Sequence, residues 1–153
     1  MTESDGRYTR QAGLMGEEGQ MKLSRARVLV LGAGGLGSPL LYYLTAAGVG
    51  FLTVGDGDRV SESNLNRQIL YTEADLGCWK AEKAAERLRA LNGTVRVTPV
   101  TERFTEENGP AMVAGSDLMA LALDNREIRL LANWLCVEQG KPLIDGGIDG
   151  WSG

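Results

Sequence analysis

The sequence predicts an α/β protein with a Rossmann-like, doubly wound, mostly parallel sheet and helices on both faces. Three observations carry that expectation. Short apolar runs rich in β-branched residues alternate with stretches of helical length, the pattern of successive βαβ units. Two of the runs, RVLVLG at 27–32 and DLMALAL at 117–123, are continuously apolar, as strands covered on both faces are. Between the first run and the helix after it stands GAGGLG, a G-x-G-x-x-G loop in the strand-to-helix context that the motif requires.

The elements follow in order. Residues 1–26 form a polar N-terminal arm, expected to be helical, with no apolar core of a signal peptide. RVLVLG is the first strand, and GLGSPLLYYLTAAGVG has the length of a helix with a glycine exit. FLTVGD, Phe51 to Asp56, is the second strand. KAEKAAERLRALN is built of strong helix formers, with Ala84, Leu88 and Leu91 spaced for one buried face and Asn-Gly as a stop. VRVTPV alternates and reads as a third strand, while DLMALAL belongs nearer the middle of the sheet. NREIRLLANWLCVEQG is a further helix and PLIDGG a further strand. Cys136 and the tryptophans Trp79, Trp134 and Trp151 are read as packing residues.

No repeat, low-complexity tract or linker divides the chain, so its 153 residues are expected to form one domain. No stretch is apolar for long enough to cross a bilayer. Two distant cysteines outside any CxxC pattern favour a reducing, cytoplasmic setting and imply no structural zinc. A net charge of −4 weighs against nucleic-acid binding. The chain has no histidine, which removes the commonest general base and metal ligand and favours chemistry that rests on positioning and charge, such as nucleotidyl transfer.

In a doubly wound sheet, ligands sit beyond the carboxyl ends of the strands. Gly32, Gly34, Gly35 and Gly37 allow close backbone approach of phosphate to a helix N-terminus. Asp56 lies close to the ~20-residue offset past Gly37 at which a carboxylate takes ribose hydroxyls, in NAD and ATP sites alike. Asp58 either shares that task or caps the next turn. The following DRVSESNLNRQ adds Arg67 as a phosphate-neutralising cation, Lys80 adds a second, and Asn64 and Gln68 either brace the loop or donate to phosphate oxygens. Asp124, with Asn125 beside it, follows an apolar strand and opens a helix. It is either an N-cap or a ligand for Mg²⁺.

Taken together, RYTRQ at 7–11, GAGGLGS at 32–38, GDGDRVSESNLNRQ at 55–68, GCWKAEKA at 77–84 and LDN at 123–125 resemble the ThiF/MoeB/HesA family, over essentially the whole chain and in order. The resemblance implies an ATP-dependent adenylyltransferase, a relative of ubiquitin-activating enzymes. Such an enzyme would activate the C-terminal carboxylate of a small ubiquitin-like sulfur carrier or a peptide and release pyrophosphate. It further implies that Asp56 holds the ribose, Gly34 lies against the nucleotide, Asn64, Arg67 and Lys80 contact the triphosphate, and Asp124 binds Mg²⁺. A homodimer is implied too, with Arg10 reaching the partner's site. The chain departs from the family pattern at Leu121 and Leu123, where polar residues are usual, and corresponds to the N-terminal part of a longer architecture. Two other classes share the glycine loop: an NAD(P)-dependent oxidoreductase, for which no catalytic His or Tyr-x-x-x-Lys pair is present, and a nucleotide-binding module without turnover. A branch acting on a modified tRNA base fits the acidic chain less well.

Overall fold

The computed structural model describes residues 6–153, so the first five residues of the N-terminal arm lie outside it. After a short turn at Gly6–Tyr8, the elements run α1 (Thr9–Arg25), β1 (Arg27–Leu31), α2 (Gly37–Ala47), β2 (Phe51–Gly55), α3 (Lys80–Leu91), β3 (Arg96–Val100), α4 (Gly109–Ala114), β4 (Leu118–Leu121), α5 (Arg126–Glu138) and β5 (Leu143–Asp145). Within the described part of the arm the helix covers Thr9–Arg25 and is broken at Gly16. The strands make one sheet in the order β3-β2-β1-β4-β5, and every pairing is parallel.

The sheet has the two faces that its apolar runs foretell. Val28, Val30, Leu52, Val54 and Ala120 point into a layer with Leu41 of α2 and Ala81, Ala84, Ala85 and Leu88 of α3. Leu29, Leu31, Met119 and Leu121 point the other way, into a layer with Val113 of α4 and Ala132, Leu135 and Cys136 of α5. Each fully buried leucine removes about 1.5–3 kcal/mol worth of apolar surface from water. This two-sided burial forces continuous apolar strands at β1 and β4. At the edge, β3 accepts Pro99 and exposed residues at alternate positions.

Four expectations are corrected. Leu91 is partly exposed, and Ala81 and Ala85 are buried instead, because α3 packs small residues close to the sheet. The strand read over 117–123, β4, stops at Leu121, where the chain leaves the sheet toward the cleft. α4 has no counterpart in the sequence reading: six residues led by Gly-Pro carry too little periodicity to announce a helix. Trp134 and Trp151 are exposed, at 58% and 107%, so neither is a packing residue, and Trp79 stacks under the Arg59 guanidinium at 3.9 Å. Cys136 is in the core as read, its thiol pushed up by burial. Among the described residues no helix is long and apolar enough to cross a membrane.

The chain winds outward from β1 to β3 and then returns across the sheet to β4 on the other side of β1. The order therefore reverses between β1 and β4, and the crevice that this opens is where the site begins.

Candidate functional site

A cleft of about 280 Å³ lies at the carboxyl ends of the strands. It is lined by Gly32 from β1, Asp56 and Asp58 from β2, Glu102 and Arg103 after β3, and Asp124 and Asn125 after β4, over an apolar floor of Leu31, Phe104 and Ile128. Gly32 turns the chain out of β1 with φ 97°, and a Cβ there would stand 2.4 Å from the Ala122 carbonyl oxygen. Gly37 is tighter still: its Cβ would meet the Gly32 carbonyl oxygen at 2.0 Å. Glycine at both positions is what lets β1 turn directly into α2. No side chain caps α2; within its first turn the Ser38 N–H donates to the Gly34 carbonyl at 2.9 Å and Pro39 has no N–H to offer.

Asp56 locks this turn in place. Its Oδ2 accepts the Ala33 N–H at 2.8 Å and its Oδ1 the Asp58 N–H at 2.9 Å. The Ala33 carbonyl is held from the other side by the Tyr71 hydroxyl, which donates to it at 2.7 Å and also lies 3.4 Å from the Lys80 carbonyl. Burial, reinforced by the Asp56 and Asp75 carboxylates, pushes the Tyr71 phenol far above its usual pKa, so it remains a donor throughout the working pH range. Sequence reasoning missed Tyr71. A single tyrosine at the end of a polar loop carries no periodic signal.

The Asn, Arg and Gln loop packs directly onto the glycine loop. A Cβ on Gly34 would lie 3.2 Å from Gln68 Nε2, and one on Gly35 would lie 3.5 Å from the Arg67 stem. Gln68 is 5% exposed, and its Oε1 has no hydrogen-bond partner. Asn64 braces the turn, its Oδ1 accepting the Ser61 N–H at 3.0 Å. The Arg67 guanidinium donates to the Ser63 carbonyl at 3.0 Å and to Asn66 Oδ1 at 2.9 Å, on the surface of the loop. Lys80 opens α3 and is only 6% exposed, and among the described residues its Nζ has one ion-pair partner, Asp58 Oδ2 at 3.7 Å. That distance is an ion pair but not a hydrogen bond.

The contacts of Asp58 and Asp124 bear on the capping half of their alternative roles. Asp58 pairs with Lys80 rather than capping a turn through its carboxylate. The N-cap of α5 is Asn125, whose Oδ1 accepts the Ile128 N–H at 3.0 Å. Asp124 is therefore not a cap: it is exposed in the cleft wall and has no hydrogen-bond or ion-pair partner among the described residues. Among those residues no three metal-ligating side chains cluster.

Arg10 lies elsewhere. Its neighbours Tyr8 and Gln11 contact Gly48, Asn92 and Ala47, at the C-terminal ends of α2 and α3 and the opposite pole of the sheet from the cleft. Arg10 is exposed there and is not among the residues that line its own chain's cleft. Glu102, Arg103 and Phe104, in contrast, line the cleft without having been singled out, because the segment between β3 and β4 shows no motif.

A parallel sheet with a glycine loop ending its first strand and a polar cleft at the reversal of strand order defines a Rossmann-like ligand-binding domain. Residues 8–153 match the model of the ThiF family, and the chain belongs to that family. It is 51% identical over 144 residues to a sulfur carrier protein adenylyltransferase of Thermus thermophilus, covering 93% of this chain and 53% of that protein. It is 46% identical, with the same coverage, to the SAMP-activating enzyme E1 of Haloferax volcanii. The chain thus spans about half the length of these curated relatives. Among solved structures it resembles the E. coli tRNA N6-threonylcarbamoyladenosine dehydratase TcdA in complex with ATP. The TM-score is 0.86 at 33% identity, covering 94% of this chain and 61% of that one.

Proposed function

We propose that this chain is the ATP-binding part of an adenylyltransferase that activates the C-terminal carboxylate of a small ubiquitin-like sulfur-carrier protein, or of a peptide, and releases pyrophosphate. The observation that carries this reading is the packing of the Asn, Arg and Gln loop onto the glycine loop, with Lys80 buried beside it. A dinucleotide site has little use for two extra cations at its phosphates, whereas a triphosphate under attack needs its charge neutralised. The names of the Thermus and Haloferax relatives agree with it.

In this reading the glycine loop, with Gly34, and the positive dipole end of α2 receive the phosphates, Asp56 takes the ribose hydroxyls, and Arg67 and Lys80 stabilise charge as the α–β phosphate bond breaks. The carrier carboxylate attacks the α-phosphorus and the product is an acyl adenylate. That carboxylate is already ionised, so no general base is needed, consistent with a chain without histidine. Asn64 and Gln68 hold the loop, and Asn125 orients the start of α5 beside the phosphates.

Asp124 suits Mg²⁺, which binds through one or two carboxylates plus phosphate and water rather than in an all-protein cage. When bound, the ion would neutralise phosphate charge. The remote position of Arg10 supports a homodimer in which it serves the partner's cleft. Two free cysteines fit a cytoplasmic protein.

The test is ATP–pyrophosphate exchange in the presence of a sulfur-carrier protein. Arg67→Ala and Asp124→Ala each abolish exchange; wild-type rates in both would overturn the residue assignment. Mg-ATP binding without exchange, whatever carrier is supplied, would instead favour a nucleotide-binding module without turnover.

A further inference from the structure

Arg103 follows β3 on the loop to α4, and that loop is well braced. Asn108 Nδ2 donates to the Arg103 carbonyl at 2.8 Å, and Asn108 Oδ1 accepts the Thr105 N–H at 2.8 Å. The stem of Arg103 lies across Gly57, where a Cβ would stand 2.9 Å from Arg103 Cγ. Arg103 is exposed and lines a cleft that also holds Asp56, Asp58, Glu102 and Asp124, yet among the described residues its side chain pairs with none of them and makes no hydrogen bond.

The order of the strands indicates what it would meet. Along the carboxyl edge the sheet presents the glycine loop after β1, Asp56 after β2 and Arg103 after β3. A nucleotide with its phosphates on the first and its ribose on the second carries its base onward to the third. There the floor is apolar, with Leu31 and Phe104 almost fully buried, and the rim is a guanidinium. A planar, weakly hydrated guanidinium stacks well on an aromatic face, and an apolar floor beneath it completes a slot for a flat ring.

We propose that Arg103 is a base-recognition residue: its guanidinium covers the face of the nucleobase, and Gly57 lacks a side chain so that the arginine can lie low over it. This rests on the ATP-binding reading above but assigns Arg103 a different duty from Arg67 and Lys80. Those two answer to the phosphates, and Arg103 to the ring.

Calorimetric titration of the chain with Mg-ATP and, separately, with magnesium tripolyphosphate separates the two duties. Arg103→Met keeps the stem over Gly57 and removes the plane. The expected result is an affinity for ATP lower by about 5- to 30-fold, the worth of a stacked cation, with tripolyphosphate binding unchanged. Arg67→Ala weakens both ligands. Arg103→Lys recovers only part of the loss, because a point charge lacks the plane. The proposal is overturned if Arg103→Met binds ATP as the wild type does, if it loses tripolyphosphate and ATP equally, or if Arg103→Lys restores ATP affinity in full. A wild-type chain that binds neither ligand overturns the ATP reading together with it.

Discussion

Asp56 and Asp124 are the same residue type at the same level of the same sheet, one after β2 and one after β4, and they are held in opposite ways. Asp56 has each carboxylate oxygen bonded to a backbone amide, at 2.8 and 2.9 Å, and so is fixed before any ligand arrives. Asp124 has its neighbour Asn125 cap the helix in its place and keeps both oxygens unengaged. The comparison teaches that a strand-end carboxylate is assigned by what holds it. One held by the backbone offers its remaining lone pairs in a set direction, which suits hydroxyl donors. One held by nothing suits a cation that chooses its own geometry.

Four measurements would break or sharpen that contrast. The largest effect is expected at Asp124→Asn. Exchange activity falls by about 10²–10³-fold, the scale of one lost transition-state electrostatic contact, while thermal stability stays within about 0.5 kcal/mol of wild type. A large stability loss would mean that Asp124 is structural after all. Asp56→Ala reverses the pattern: it loses two charge-assisted backbone bonds and about 2–4 kcal/mol of folding stability, and nucleotide affinity falls with it. Denaturant titration reads the first quantity and calorimetry the second.

A third carboxylate extends the comparison away from the cleft. Asp75 is buried in the polar loop, where burial alone would raise its pKa. The Thr72 N–H and hydroxyl outweigh burial, joined by Lys83 and by Arg87, which lies 2.6 Å away, and together they hold it below the ordinary aspartate value. A carboxyl depressed in the folded state contributes stability that is fully present above its unfolded pKa and lost as pH falls through the folded one. Stability should therefore decline below the ordinary aspartate range. Asp75→Asn should cost on the order of 2 kcal/mol at neutral pH and flatten the decline. An unchanged pH profile in that variant would remove Asp75 from the account. The smallest effect is expected at Tyr71→Phe, which leaves the buried Ala33 carbonyl without its hydroxyl donor. It should cost about 1 kcal/mol and weaken nucleotide binding a few-fold by loosening the loop that Asp56 holds from the other side.

Legibility varied with how local the physics is. The glycine loop was readable because the positive φ of Gly32 and the approach of Gly37 to the Gly32 carbonyl are constraints within six residues of chain. β1 and β4 were readable because burial on both faces admits only apolar side chains. Lys80 was noticed because a cation fits poorly in the first turn of a helix. Its burial explains the misfit. α4 was missed for want of length, and Leu91 was misjudged because helical spacing alone cannot tell which small residues will approach a sheet. Trp134 and Trp151 were misread for a related reason: size and aromaticity favour burial on average but do not say which face of α5, or which residue of the turn after β5, meets the core.

By itself, the sequence determined the class of sheet, the position of the phosphate-type loop, and a set of polar residues clustered just beyond strand ends. These follow from side-chain periodicity and from backbone conformations that only glycine adopts readily, and both are short-range properties. The tertiary structure alone decided which of those residues share a cleft. It joined Asp56 to Ala33 and Tyr71, freed Asp124 by making Asn125 the cap, brought Arg103 to the rim, and set Arg10 at the far pole. Those assignments depend on the order in which parallel strands assemble. That order is a long-range property, fixed by right-handed crossovers and by how much apolar surface each arrangement buries.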